Sequence, residues 1–409
     1  MSKIDEMIAE LCPDGVEYKR LGDISTIGGG HTPSKNDPQN YDGGHIPWVT
    51  SKDVKVEHLN TTGILITEKG AKTLTLYPEN TIVVVLRSGI LKHTFPVAML
   101  DVPMTINQDI KAINPRKESD VDSKYLFYCI KNAGPTLLSI GRRAGGTVDS
   151  IPLADFKATE IPVPPIEIQK EIVRILDKFA ELEAELEAEL EARKAQYAYY
   201  RDKLLSEKGL ERIDGQPVRI MSLGDIGQMA MCKRIFKNQT AKEGEIPFYK
   251  IGTFGSSPDA YISKSLYQEY RTKYRFPKKG DVLISASGTI GRTVVYDGKD
   301  AYFQDSNIIW LTHDGTVVTN EYLKHAYSVL EWKTEGGTIK RLYGSSFHSL
   351  EIPVPSLETQ QKVVDILDRF DTLTTSLTDG LPAEIEARRQ QYEYYRDKLL
   401  SFPRLTAEG

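Results

Sequence analysis

Hydrophobic positions fall at two different spacings along this chain. Over residues 1–160 and 212–351, runs rich in Val, Ile, Tyr and Thr alternate with clusters of Gly, Pro, Asn and Asp, which predicts short strands joined by turns. Thr81-Ile82-Val83-Val84-Val85-Leu86 is the strongest of these runs, long enough for a strand and far too short to span a bilayer. Over 161–211 and 352–405 the spacing changes to three and four. Ile172, Leu176, Phe179, Leu182, Leu186, Leu190, Tyr197, Tyr200 and Leu204 make the apolar stripe of an amphipathic helix. The stretch Ala180–Leu190 contains strong helix formers only, with its glutamates reading as a solvated face. Pro162, Pro164 and Pro165 supply an extended entry, since proline is tolerated before a helix and not inside it. A helix over 168–206 would be about 58 Å long.

The second helical segment repeats the first. Residues 161–179 and 352–370 share 11 identities in 19, opening on Ile-Pro-Val-Pro in both; 191–206 and 386–401 share 13 in 16, ending on Tyr-Tyr-Arg-Asp-Lys-Leu-Leu-Ser. The second stripe carries Leu367, Phe370, Leu373, Leu377, Leu381, Ile385, Tyr392, Tyr395 and Leu399. It is four residues longer between its matching ends, which would add about 6 Å if helical. It also contains Pro382, which predicts a kink or break.

The strand-rich regions match each other more weakly. Val16–Ile24 corresponds to Val218–Ile226, both closing on Leu-Gly-Asp-Ile; Ile46-Pro47-Trp48 to Ile246-Pro247-Phe248; Ser88-Gly89 to Ser287-Gly288; Asn107-Gln108-Asp109 to Phe303-Gln304-Asp305; and Gly145-Gly146-Thr147-Val148 to Gly336-Gly337-Thr338-Ile339. The expected organisation is therefore a globular domain over 1–160, a helix over 161–211, a second domain over 212–351 and a second helix over 352–405. The fold class is α+β with pseudo-twofold architecture, the two long helices burying each other's stripes as an antiparallel, coiled-coil-like pair. The other arrangement is that each helix covers its own domain.

Composition changes this picture little: 40% apolar and 27% charged residues suit a globular chain of two or three domains. The net charge of −5 looks wrong for a nucleic-acid binder, but it is unevenly spread. It is −2 over 1–160, −3 over 161–209, +3 over 210–351 and −3 over 352–409, so the acid concentrates in the repeated helices. Cys12, Cys129 and Cys232 are isolated and suggest neither a disulfide framework nor a zinc site. The first residues read as a polar helix rather than a signal peptide, and the expected location is cytoplasmic, with no membrane contact.

With these motifs in this order, the chain resembles the specificity subunit of type I restriction-modification systems. The resemblance rests on the duplicated Ile-Pro-Val-Pro to Tyr-Tyr-Arg-Asp-Lys-Leu-Leu segments, the Leu-Gly-Asp-Ile opener of each half, and Gly28-Gly29-Gly30-His31-Thr32-Pro33-Ser34 followed by Ile46-Pro47-Trp48-Val49. It implies two target-recognition domains, each reading one half of a split sequence in double-stranded DNA, and helices that set the spacing and dock two modification subunits. Restriction subunits complete the assembly. It also implies that this chain is non-catalytic, with S-adenosylmethionine, ATP and magnesium held by the partners. A helical scaffold that recruits proteins without reading DNA is the alternative.

Motifs for chemistry of its own are weak. There is no GxxxxGK[ST] loop and no HxxxH or HExxH spacing, so no metal site is expected. Pro13-Asp14 with Glu17-Tyr18-Lys19 imitates a nuclease pattern, but its carboxylates are too close in sequence to come from separate strands. Gly28-Gly29-Gly30 reads as a flexible turn rather than a phosphate cradle. DNA contacts favour Arg, Lys, Asn and Gln on loops. The candidates are Lys35, Lys52, Arg87, Lys92, Arg142 and Arg143 in the first domain. In the second they are Lys233, Arg234, Lys237, Lys250, Arg271, Lys273, Arg275, Arg292, Lys340 and Arg341, interleaved with Tyr267, Tyr270 and Tyr274.

Overall fold

The computed structural model describes residues 3–143, 148–332, 340–376 and 378–405. Two compact units form: Met1–Glu185 with Ile385–Gly409, and Leu186–Glu384. Each unit therefore contains one mixed helix-and-sheet domain, the start of the helical repeat that follows it, and the end of the other repeat.

The first unit holds a five-stranded sheet ordered Ser25–Gly29, Ile110–Pro115, Ile82–Val85, Val97–Leu100, His58–Leu59. Its central strand explains the unbroken apolar run. Side chains alternate across a strand, so Ile82, Val84 and Leu86 enter one hydrophobic cluster with the helix Ser123–Thr136, while Val83 and Val85 enter another on the opposite face. The second unit repeats this device in a four-stranded sheet, where Val282 and Ile284 face one cluster and Leu283 the other. The three glycines at 28–30 are not a flexible turn. Gly28 and Gly29 pair with Ala112 and Lys111 in the sheet, and a Cβ on Gly28 or Gly30 would collide with the Tyr77 ring or the Ile106 carbonyl.

The opener and the Ile-Pro-Val-Pro motif of each half meet as a two-stranded ribbon. Glu17–Arg20 runs antiparallel to Glu160–Val163, and Arg219–Ser222 to Glu351–Val354. The helix Ile166–Leu204 then begins, as does Leu357–Thr375 in the second unit. Both starts are fixed to their domains by a fully buried glutamine. Gln169 Oε1 accepts the Asp122 N–H at 2.9 Å, and its Nε2 donates to the Asp120 and Pro164 carbonyls at 2.9 and 2.8 Å. Gln360 accepts from the Thr319 N–H at 3.0 Å and donates to Val317 and Pro355 at 2.9 and 3.0 Å. Asp122 and Thr319 are themselves the N-caps of the domain helices Ser123–Thr136 and Asn320–Tyr327.

A turn further on, the apolar stripe changes partner. Leu176 and Leu367 are buried in their own domains' clusters, so the first turns of each helix do cover their own domain. Beyond them, Phe179 packs on Tyr392 and stacks on Tyr395, with centroids at 6.3 and 5.6 Å, while Glu183 pairs with Arg389. Ascending numbers meet descending ones, so these segments run antiparallel. In the second unit Phe370 stacks on Tyr197 and Tyr200 at 6.1 and 6.3 Å. Leu399 is buried in the first unit's cluster, and Leu204 packs half-buried on the second's. Leu182, Leu186, Leu190 and Leu373 are half-buried, and Leu377 lies outside the described residues. The chain end closes on the first unit, where the Phe402 carbonyl accepts the Tyr18 hydroxyl at 2.9 Å and Arg404 pairs with Glu160.

The second repeat breaks where Pro382 predicts it, as two helices, Leu357–Thr375 and Leu381–Leu399. Its four additional residues fall between Phe370 and Tyr392, the region of this break, so the 6 Å of extra helix expected from them is not built.

One difference separates the two junctions. Asp177 takes a hydroxyl from Tyr128 at 2.8 Å and an ammonium from Lys124 at 2.6 Å. The corresponding Asp368 takes His325 Nε2 at 2.9 Å and Lys324 at 3.1 Å, with Asp371 2.8 Å from the same lysine. Burial pushes His325 below the ordinary histidine range. Asp368 is also desolvated, but Lys324 and His325 hold it below the usual carboxylate range. Among the described residues, no helix is long and apolar enough to cross a membrane.

Replacing Gln169 or Gln360 by Ala orphans one buried N–H and two carbonyls, and should destabilise the unit that holds it by about 3 kcal/mol or more in denaturant unfolding. A depressed histidine value makes the folded state bind fewer protons. Stability contributed by neutral His325 should therefore be complete above about pH 6.5 and decline below it, by at most about 1.4 kcal/mol per pH unit. Hydrogen exchange should show this acid sensitivity in the second unit and not in the first. His325→Tyr, the residue found at the first junction, should remove it.

Candidate nucleic-acid interface

In both units a short parallel strand pair delivers two loops to one crest. Ile46–Val49 runs parallel to Thr105–Ile106, so Thr50-Ser51-Lys52 and Asn107-Gln108-Asp109 emerge side by side. Ile246–Tyr249 runs parallel to Tyr302–Phe303, releasing Lys250-Ile251-Gly252 and Gln304-Asp305 in the same way.

The six cations singled out in the first domain separate into two groups. Lys35 and Lys52 are exposed and line one cleft of about 460 Å³, together with Thr32, Tyr41, Trp48, Thr50, Asn107 and Gln108. Arg87, Lys92, Arg142 and Arg143 surround the ribbon of Arg87–Ser88 with Asp149–Ser150. There Arg142 donates to the Leu91 and Lys92 carbonyls and lies 3.5 Å from Asp149, and Arg143 pairs with Asp155 at 3.1 Å. The Gly145-Gly146-Thr147 motif beside them lies outside the described residues.

In the second domain Arg234 pairs with Asp305, Lys250 with Asp259, Arg271 with Asp300 and Lys273 with Glu269. The Glu269 hydrogen bond raises Lys273 above the usual lysine value. Lys233 lies over the exposed Tyr274 ring at 5.1 Å, an arrangement open to an incoming base or phosphate. Tyr267, in contrast, is not a surface residue. It is 2% exposed, and its hydroxyl donates to Asp300 at 2.9 Å. Arg292 donates to the Phe254 carbonyl at 2.7 Å, and Arg341 bridges Ser287 and reaches Asn307 at 3.5 Å, so both brace loops. Lys237 is exposed. Lys340 borders the segment 333–339, which holds Gly336-Gly337-Thr338-Ile339 and lies outside the described residues. Among the described residues, Lys35, Lys52, Arg87, Arg275 and Lys340 enter no ion pair.

Other chemistry is poorly supported by this geometry. The three cysteines are free, and burial pushes the Cys129 and Cys232 thiols up to about 12, away from reactive thiolates. Glu17 of the nuclease-like pattern pairs with Lys19 on the same strand. His325, Asp368 and Asp371 have ligand atoms within 4.8 Å of one another, but the Lys324 ammonium already supplies the positive charge.

The polar residues of the crests, Thr50, Asn107, Gln108 and Gln304, were not among the cations selected from the sequence. The correspondence of Asn107-Gln108-Asp109 with Phe303-Gln304-Asp305 is shifted by one residue in the structure, where Asn107 and Gln304 are the first residues after their strands, and that place was the signal that could have marked them.

The chain is thus built of two duplicated α+β units, each presenting loops and cations after its strands. Comparison with known proteins gives the family. The profile of the type I restriction modification DNA specificity domain matches residues 13–192 and again 216–387. A putative type I restriction enzyme specificity subunit of Haemophilus influenzae is 47% identical over 305 residues, covering 72% of this chain and 76% of that protein. The EcoR124I/EcoR124II specificity subunit of Escherichia coli is 35% identical over 274 residues, covering 62% and 65%. In fold, the chain is similar to the type I S subunit of M. genitalium (TM-score 0.51, 16% identity, covering 94% of this chain and 96% of that one). A chain from a study of type I complex assembly and conformational transition matches at TM-score 0.62 and 19% identity, covering 96% and 98%. This chain belongs to the family of type I restriction-modification specificity subunits, which implies DNA target recognition.

Unpaired exposed lysines at a DNA surface act through phosphate and counterion release, so Lys35→Ala with Lys52→Ala should weaken binding across all sequences. The slope of log affinity against log salt should fall by about 2 in titrations at several salt concentrations, with the preferred sequence unchanged.

Proposed function

We propose that this chain reads a bipartite DNA site, one half per globular domain, and that its helices set the distance between the halves and dock modification subunits. The observation that carries the reading is the unequal divergence of the two repeats. The glutamine pins, the aromatic contacts of Phe179 and Phe370 and the Tyr-Tyr-Arg-Asp-Lys ends are the same in both units. The crest loops after the parallel strands differ. A protein that meets one kind of partner twice and two different half-sites once each needs this pattern. The exposed Tyr199 and Tyr394, equivalent in the two repeats and flanked by Arg201 or Arg396, suit protein contact better than the acidic helix faces suit phosphate.

On this reading the chain is a non-catalytic subunit. S-adenosylmethionine, ATP and magnesium bind to the modification and restriction partners, and methylation of adenine in each half-site is theirs.

The reading is tested by mapping methylated adenines genome-wide in cells with and without this gene. A split motif should appear only with it. Inserting four helix-forming residues at Glu189 in the Ile166–Leu204 helix adds about 6 Å, nearly two base pairs at ~3.4 Å each. It should lengthen the unspecified spacer and leave both halves intact. Altered halves with an unaltered spacer would overturn the reading. Recruitment of modification subunits with no sequence-dependent DNA binding would instead favour a plain scaffold.

A further inference from the structure

A glutamine stands on each crest, one position apart in strand register, and the two do different things. In the second unit, Gln304 is turned inward: its Oε1 accepts the Ile251 N–H at 2.9 Å and so ties the two crest loops together. The residue before it, Phe303, stacks on Tyr249 at 5.9 Å, and the residue after it, Asp305, is held by Arg234. That crest is closed by its own contacts.

In the first unit Gln108, one position beyond the residue in register with Gln304, is exposed at the cleft. Among the described residues it makes no bond to the neighbouring loop at Ser51. Thr32 donates to its Oε1 at 2.6 Å, and its Nε2 lies a long 3.4 Å from Asp109. Strand register places Asn107 in line with Gln304, since the Asn107 N–H donates to the Val49 carbonyl as the Gln304 N–H does to that of Tyr249, and it places Ile106 in line with the stacked Phe303. Only 6% exposed, Asn107 lines the same cleft, with its Oδ1 accepting the Asp109 N–H at 3.0 Å. Its Nδ2 donates to no group among the described residues. Lys35 and Lys52 flank the cleft as unpaired cations.

We propose that Gln108 is a specificity-determining residue for one base pair of the half-site read by the first domain, and that Gln304 is structural. The inference rests on the bipartite reading above. With one contact at each end, the carboxamide keeps a second lone pair and a second N–H, and so presents a donor beside an acceptor. This matches the N7 and N6 edge of adenine in the major groove. Asn107 positions the loop through its oxygen and adds a donor at the cleft floor, while Lys35 and Lys52 neutralise the neighbouring phosphates.

The test uses the full chain expressed with the modification subunit of its own system in a host without other adenine methylation. Methylated sites are mapped for wild type, Gln108→Ala and Gln304→Ala, and thermal midpoints of the three purified chains are compared. With Gln108→Ala the motif should lose discrimination about 10-fold or more at a single A·T pair in one half-site, with the midpoint within about 2 °C of wild type. Gln304→Ala should leave the motif unchanged and lower the midpoint by several degrees. An unaltered motif with Gln108→Ala, degeneracy in both halves, or a collapse of its midpoint would overturn the proposal, the last by making Gln108 structural. Relaxation of a half-site by Gln304→Ala would overturn it equally. A wild-type chain that directs no split motif would overturn the underlying reading instead, and the two failures are distinguishable.

Discussion

The structure depends on a buried carboxamide. Gln169 and Gln360 are each fully enclosed at the point where a globular domain becomes a helix, and each makes three hydrogen bonds to the backbone. The net gain from such bonds is modest, but a buried backbone group left without a partner costs about 1–3 kcal/mol. The amide therefore acts as a geometric constraint more than as a source of stability. One face of it holds the loop that caps a domain helix, and the other holds the proline-rich entry to the long helix. The direction in which the helix leaves its domain follows from that grip, and it is the same in both units.

Once the helix direction is set, the aromatic contacts become possible. Phe179 lies ten residues beyond Gln169, and Phe370 ten beyond Gln360. Each meets two tyrosines separated by three residues, the spacing that places side chains on one helical face. Glutamine, phenylalanine and the tyrosine pair are thus one device read at fixed intervals. This is why those positions are repeated while the intervening surface positions, such as Ala198 and Glu393, differ freely. The acidic helix faces contribute little to this arrangement, because exposed pairs such as Lys178 with Glu181 are worth only tenths of a kcal/mol.

Much of this was legible in the sequence. The 3.6-residue stripe located the long helix within two residues at each end, 166–204 against 168–206. Pro382 located the break in the other repeat, because a missing N–H acts locally. The role of Gln169 was not legible: two of its three partners lie 47 and 49 residues away in sequence. The triple glycine was misread for a similar reason. What it accommodates, the Tyr77 ring and the Ile106 carbonyl, comes from segments distant in sequence. At the interface, selecting by charge found Lys35 and Lys52 but also Arg292 and Arg341, whose guanidinium groups brace loops. A cation's sequence neighbours do not reveal whether a carbonyl awaits it inside the fold.

The two crests show how a duplicated scaffold can be made to discriminate. Both arise from the same parallel strand pair, so the backbone offers the same platform twice. In the second domain aromatic stacking and the inward-facing Gln304 fill that platform, and contact with a ligand must come from groups around it, such as Lys233 over Tyr274. In the first domain Asn107 and Gln108 line a polar cleft, and the glutamine is exposed. The residue leaving the second strand, Asn107 in the first unit and Gln304 in the second, makes the same backbone contact, so a crest with exposed amides differs from one closed on itself in where its side chains turn. Changes in the side chains of these loops leave the glutamine pin undisturbed, since Gln169 and Gln360 bond to other segments. A reading surface can then diverge quickly while the helix direction, and with it the spacing that the partners require, stays fixed.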